Sequence, residues 1–267
     1  MTDYVSPTER VQVRLDGAAL HIVFANLARH NALSVDMWGA VPPLLEQAAG
    51  DERVRVVVFS GAGEKAFVSG ADISQFEDQR AAKEAVKHYE ALAEDALMSI
   101  YRFPKPTIAC IRGWCIGGGV NVAISCDIRL AADDAVFSIP AARLGLGYRY
   151  SALKNLVDLI GPGAAKDLFF SARRIDATEA LRLGLVTRTA AVADLPALLA
   201  EYTSAIGDNA PLTVQAGKAI IGEILKPSPE IDMQRCRDLI LGCFESEDYA
   251  EGRRAFMEKR RPQFKGR

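Results

Sequence analysis

The run RVVVFS at residues 55–60 constrains the fold more than any other stretch of this chain. It is apolar at successive positions, and successive side chains of a strand point to opposite faces. Such a strand has to be covered on both sides, as in a parallel sheet packed by helices rather than a sheet with one wet face. Residues 107–111 (TIACI) repeat the pattern. Each run leads toward a stretch of small residues and then a helical pattern: Phe67-Val68-Ser69-Gly70-Ala71-Asp72 in the first case, Gly113-Trp114-Cys115-Ile116-Gly117-Gly118-Gly119 in the second.

The remaining pattern agrees with an α/β reading. Residues 11–15 and 19–24 alternate in polarity and flank Asp16-Gly17, which predicts a hairpin. A helix is expected next, with Ser34 as its N-cap and Met37, Val41, Leu44 and Leu45 on one face. A charged helix is expected over 79–101, closed by Pro104 and Pro106. Residues 121–125 read as helix, and 128–132 and 135–138 as short strands. From about residue 153 the pattern is helix after helix, broken at Gly161-Pro162-Gly163 and Leu183-Gly184-Leu185. No linker or low-complexity stretch interrupts the chain. The expectation is a core of strand–strand–helix units over 1–200 and a helical C-terminal region over 201–267.

Charge narrows the function classes. The 32 Lys+Arg nearly balance the 34 Asp+Glu, so there is no basic field to gather nucleic acid. The cysteines (Cys110, Cys115, Cys126, Cys236, Cys243) form no CxxC pair, and the histidines are His21, His30 and His88 alone. Buried free thiols are expected rather than a metal site. The opening MTDYVSPTER has no apolar run after a basic stretch, and no apolar run reaches the ~18 residues of a membrane span. A cytoplasmic protein without membrane contact is expected.

The two small-residue loops carry the chemistry. Backbone N–H groups at a helix start have no partner in the helix and sit at the positive end of its dipole. Two of them aimed at one oxygen make an oxyanion hole, and small residues let a carbonyl approach. Tight turns or close helix–strand packing would also explain the glycines. A phosphate loop fits less well: neither segment ends in Lys-Ser/Thr, and neither is a GxGxxG.

Taken together, these segments resemble the enoyl-CoA hydratase (crotonase) superfamily. The likeness runs through Arg29-His30-Asn31-Ala32-Leu33, the stretch KAFVSGADI from Lys65 to Ile73, Lys105-Pro106-Thr107-Ile108-Ala109 and Gly117-Gly118-Gly119. It continues in Ser125-Cys126-Asp127-Ile128-Arg129, Phe137-Ser138-Ile139-Pro140 and a tail from Glu247 to Phe264. It implies a spiral of β-β-α units with a helical C-terminal region, assembled as a homotrimer or homohexamer. It also implies an acyl-CoA thioester as partner, with coenzyme A as part of the substrate and no cofactor besides. The N–H groups of Ala71 and Gly118 would hold the thioester oxygen. Ala28, His30, Ala32, Ser69, Gly70, Ala71, Asp72 and Ile73 would line the coenzyme A site. Phe256 and Lys259 would lie near the nucleotide end, in the C-terminal region that acts as lid and assembly surface.

The chain departs from that pattern where a hydratase works. The family's two glutamates align with Asn121 and Ala141, and neither an amide nor a methyl exchanges protons. The following loop, with Leu144-Gly145-Leu146-Gly147-Tyr148, is similar to methylmalonyl-CoA decarboxylases. Those enzymes, however, carry a histidine where Ala71 stands. The superfamily's dehalogenases place their aspartate where Arg149 stands. Tyr148 and Arg149 are therefore candidates for the acyl end, with Arg149 or Arg143 as holder of a carboxylate and Tyr148 as proton donor. The reaction expected is decarboxylation or C–C hydrolysis of a CoA thioester through an enolate. A hydratase or isomerase with a displaced acid (Glu64, Asp72, Glu77 or Glu94) and a non-catalytic acyl-CoA-binding protein are the alternatives.

Overall fold

The computed structural model describes residues 4–72 and 82–267. The run RVVVFS becomes β3 (Val56–Gly61), and Val56 to Phe59 are fully buried as a strand covered on both faces must be. Val57 and Phe59 enter the main core. Val56 and Val58 enter a second cluster on the opposite face, with Ile108, Leu130, Leu195 and Leu198.

Around β3 lie β1 (Val11–Asp16), β2 (Ala19–Phe24), β5 (Thr107–Ile111), β7 (Ile128–Ala132) and β10 (Arg188–Ala190). They form a sheet of order β1-β2-β3-β5-β7-β10 among the described residues. Only the β1–β2 hairpin is antiparallel, with Asp16 opposite Ala19 and Gly17 at φ 56° in the turn. A second sheet, β4-β6-β8-β9, is built from much shorter strands: β4 (Ala66–Val68), β6 (Trp114–Ile116), β8 (Val136–Ser138) and β9 (Ile175–Asp176).

The helices complete the pattern. They are α1 (Val35–Gly50), α2 (Ala82–Tyr101), α3 (Gly118–Ser125), α4 (Tyr150–Ser171), α5 (Ala177–Arg182) and α6 (Leu195–Asp208), followed by α7 (Pro211–Ile224), α8 (Met233–Glu245) and α9 (Glu247–Glu258). Three successive units, β3-β4-α2, β5-β6-α3 and β7-β8-α4, each give one strand to the large sheet and the next to the small one. This is the expected β-β-α spiral. β4 and β6 fall inside segments expected to be loops, because a three-residue strand is too short to show a period. The part of the second charged helix expected before residue 82 lies outside the described residues.

Ser34 takes the N-cap position of α1, but its hydroxyl donates to Asp36 Oδ1 at 2.5 Å instead of receiving a backbone N–H. α4 turns at Gly161, whose φ is 76°, where the Gly161-Pro162-Gly163 break is expected. Cys115, Cys126 and Cys236 are buried free thiols, and Cys110 and Cys243 are half-buried. The expected boundary at residue 200 falls inside α6, which packs on the large sheet through Leu195 and Leu198. The helices that leave that sheet are α7 to α9. Lys218 of α7 ties them back, its Nζ donating to Lys105 O at 2.9 Å and to Asp127 Oδ2 at 2.7 Å. The tail is pinned by buried Asp248, which accepts from the N–H groups of Lys265 and Gly266 at 2.7 and 2.8 Å.

Candidate active site

The glycine run closes a turn between the two sheets. Gly117 has φ 53°, a conformation that disfavours side chains, and its N–H donates to Ser138 O at 2.9 Å. The first rung of α3 is the Asn121 N–H on Gly117 O at 3.1 Å, so the N–H groups of Gly118, Gly119 and Val120 precede the helical ladder. A Cβ on Gly119 would sit 2.4 Å from Val68 O, so only glycine lets α3 press this closely on β4. A Cβ on Gly118 would meet nothing tighter than the Gly70 carbonyl carbon at 3.7 Å. Gly118 therefore faces the Gly70–Ala71 backbone across an ordinary van der Waals gap.

Ala71 is placed by an edge-to-edge zip. The Leu33 N–H donates to Gly70 O, and the Asp72 N–H donates to Leu33 O, both at 2.9 Å. Neither bond uses the N–H of Ala71. The preceding loop is held the same way: Ser69 donates its N–H to His30 O at 3.2 Å and its hydroxyl to Arg29 O at 3.0 Å. His30 and Asn31 are left-handed, at φ 50° and 59°. Asn31 tolerates that backbone and is fixed by its Nδ2, which donates to Ala62 O and Ala66 O at 2.9 and 2.8 Å.

Ala71 and Gly118 border one cavity of about 280 Å³, close to the lower size of small-molecule clefts. Asn121 of α3 and Ala141 line its floor, and Leu144, Leu146 and Tyr148 close one side. The Tyr148 hydroxyl donates to Asn121 Oδ1 at 2.7 Å, and its ring meets Phe169 edge-on with centroids 5.3 Å apart. Burial pushes the Tyr148 hydroxyl up to about 12, against the opposing pull of the Asn121 bond and the Arg149 charge.

Beside it, Arg149 Nε donates to Glu90 Oε2 at 2.6 Å, and Arg149 Nη1 lies 3.6 Å from Glu94 Oε2. Ser151 holds that Glu94 oxygen with a hydroxyl donated at 3.0 Å. Arg149 therefore lines the cavity; two glutamates of α2 pair with its charge, which weakens its expected part as holder of a substrate carboxylate, although its buried Nη1 makes no hydrogen bond among the described residues. Arg143 lines a different cleft, with His30, Trp114 and Arg174.

Two glycine-rich N–H sites at one apolar cavity, on a β-β-α spiral, match a known family across most of the chain. The enoyl-CoA hydratase/isomerase family model covers residues 16–267. The short-chain-enoyl-CoA hydratase of Clostridium acetobutylicum is 33% identical over 231 residues, 86% of this chain and 88% of that protein. The peroxisomal Delta(3,5)-Delta(2,4)-dienoyl-CoA isomerase of Arabidopsis thaliana is 30% identical over 271 residues, 96% of each chain. The crystal structure of an enoyl-CoA hydratase/carnithine racemase from Magnetospirillum magneticum superposes with a TM-score of 0.93 at 33% identity, covering 98% of this chain and 97% of that one.

The chain belongs to the enoyl-CoA hydratase/isomerase family.

Within this member of the enoyl-CoA hydratase/isomerase family, Ser69, Gly70, Ala71, Gly118, Asn121, Tyr148 and Arg149 meet at the one cavity. His30 and Ser69 border an adjoining cleft with Trp114 and Arg174. Ala28 is exposed on the loop before it, Ala32 is buried, and Asp72 is buried behind Ala71. Ile73 and Glu77 lie outside the described residues. Phe256 and Lys259 sit at the end of α9, Phe256 almost fully exposed, and neither lines the cavity of its own chain. Among the displaced acids weighed from sequence, Glu64 is exposed and pairs with Arg112 at 3.3 Å, away from the cavity. Glu94 stands behind Arg149. Among the described residues the carboxylate on the wall is Glu90, absent from the sequence-based candidates. Its signal was its spacing: Tyr89, Ala93, Ala96, Leu97 and Ile100 form the buried face of α2, and Glu90 and Glu94 flank that stripe one turn apart.

Proposed function

We propose that this chain acts on acyl-coenzyme A thioesters through an enolate. The N–H groups of Ala71 and Gly118 hold its oxygen, and Tyr148 returns a proton to the α-carbon. The Tyr148 hydroxyl, fixed 2.7 Å from Asn121 Oδ1 in the same cavity, carries the reading. With its proton affinity raised by burial, this phenol is neutral at physiological pH. It is thus suited to protonate a carbanion-like carbon and unsuited to act as a base. Reactions that generate the enolate by breaking a carbon–carbon bond need such an acid, so decarboxylation or C–C hydrolysis is the reaction class favoured. Asn121 and Ala141 stand where the hydratase glutamates belong and exchange no protons.

The thioester reaches the cavity past Ala28, His30, Ala32, Ser69, Gly70 and Asp72. Phe256 and Lys259 meet the nucleotide end from a neighbouring subunit of a homotrimer or homohexamer. No metal or redox cofactor enters this chemistry, and chelators should leave turnover unchanged.

Crotonyl-CoA separates this from ordinary hydration. The native protein is expected to hydrate it at background, and Asn121→Glu with Ala141→Glu to gain hydratase activity. A native rate of order 10 s⁻¹ overturns the assignment of these positions. The second reading, a hydratase or isomerase with a displaced acid, is favoured by Glu90 on the cavity wall. A crotonyl-CoA hydration rate that falls in Glu90→Gln would support it.

A further inference from the structure

Glu90 and Arg149 have no part in the enolate reading above, yet they form the ionic wall of its cavity. Arg149 Nε engages one oxygen of Glu90 at 2.6 Å, which fixes the carboxylate and leaves Oε1 outside that bond. Arg149 is itself held, with Glu94 at 3.6 Å on one side and Ser151 bracing Glu94 at 3.0 Å. At Tyr148 the Arg149 charge lowers the proton affinity and the Glu90 charge raises it, so both ions reach the phenol. Among the described residues Arg149 is the one cation lining this cavity, against Glu90 on the wall and Glu94 behind it. The trio carries a formal charge of about −1. A substrate carboxylate would meet net repulsion here. A neutral carbonyl would not.

We infer that Glu90 is the base that activates water in this cavity, with Arg149 as its positioning residue, and that the acyl group bears a neutral oxygen at C3, as in a 3-oxoacyl thioester. This rests on the enolate reading and selects C–C hydrolysis over decarboxylation. Glu90 takes a proton from water, and the hydroxide adds to the C3 carbonyl. Collapse of the adduct breaks C2–C3; its electron pair becomes the thioester enolate held by Ala71 and Gly118, and C3 leaves as a carboxylic acid. Tyr148 gives its proton to C2 and recovers one from protonated Glu90. Water and substrate are consumed, and every proton is returned.

Acetoacetyl-CoA, malonyl-CoA and crotonyl-CoA are the probes. The native protein should convert acetoacetyl-CoA to acetate and acetyl-CoA without releasing free CoA thiol. Glu90→Gln should lower kcat at least about 100-fold with KM within about threefold. Should Glu90→Gln lose the native circular dichroism, Glu90→Asp, one methylene short, should still fall at least tenfold. Arg149→Ala should lower kcat and be partly rescued by millimolar guanidinium ion, which a merely structural role would not allow. Native-like turnover in Glu90→Gln overturns the inference. So does faster decarboxylation of malonyl-CoA than cleavage of acetoacetyl-CoA, or exchange of butyryl-CoA α-protons with D2O without any acetoacetyl-CoA cleavage. Each of these leaves the enolate reading standing. A native protein inert to all probes, with no α-proton exchange, overturns both.

Discussion

Gly117, Gly118 and Gly119 are neighbours that lack side chains for different reasons. Gly117 needs its left-handed backbone and Gly119 its close approach to Val68, but Gly118 has room for a methyl group. In the proposed site Gly118 contributes its N–H, and Gly118→Pro removes that donor. Proline is tolerated at the first helical position, so the variant should fold. Its kcat should fall by about 10²–10³, or roughly 3–4 kcal/mol of barrier. Steady-state rates beside a thermal melt check this, and native rates in folded Gly118→Pro would contradict the role of Gly118. At this scale the sequence was informative wherever a residue type has one backbone use, as with these glycines. For Glu90 it offered only a spacing beside a buried stripe, because a glutamate on a charged helix is ordinary until its partner Arg149 is known.

Helix ends and turns show a second level of determination. The C-terminus of α1 is capped by buried Lys105, whose Nζ donates to Ala48 O and Asp51 O, both at 2.8 Å. Asp51 itself accepts from the Arg53 side chain at 2.6–3.1 Å and from the Tyr4 hydroxyl at 3.1 Å. The Arg53 bonds hold its carboxyl well below the usual range. A carboxyl depressed in the folded state contributes stability that is complete above its unfolded pKa of about 4 and is lost as the pH falls toward the folded value. Asp51→Asn should therefore destabilise by about 1 kcal/mol at neutral pH, and the difference should shrink below pH ~4. Urea melts of both proteins at pH 7 and pH 3 measure it. A difference that grows toward acid would refute the assignment.

On the scale of the whole molecule, α7 to α9 leave a large apolar surface uncovered. Ile224, Phe256 and Met257 are 70%, 82% and 80% exposed, and Leu241 and Phe244 are more than half exposed. Large apolar side chains left exposed on three successive helices point to a contact surface. The proposed homotrimer or homohexamer would cover it. Sedimentation should give a mass three or six times the 28.9 kDa of one chain, and Leu241→Asp with Phe244→Asp should lower it. A monomer at micromolar concentration would oppose the assembly and the placement of Phe256 and Lys259 at a neighbouring site.

The sequence by itself determined most of the large sheet and its cover, though not β10, which falls where only helices were expected. An apolar run with no alternation, such as residues 55–60, can satisfy its side chains only between two packed layers. It also marked both loops at the cavity, since glycines before a helix signal free N–H groups whatever lies around them. Tertiary structure alone decided most of the second sheet: β4, β6 and β9 are too short to carry a period and exist through their pairing, whereas β8 falls where a short strand was expected. It also decided the charge of the cavity. Arg149 and Glu90 are 59 residues apart, and each alone suggests a solvated ion. Only α2 packing beside the start of α4 brings them within 2.6 Å, and that contact turns an expected anion holder into a neutralised partner.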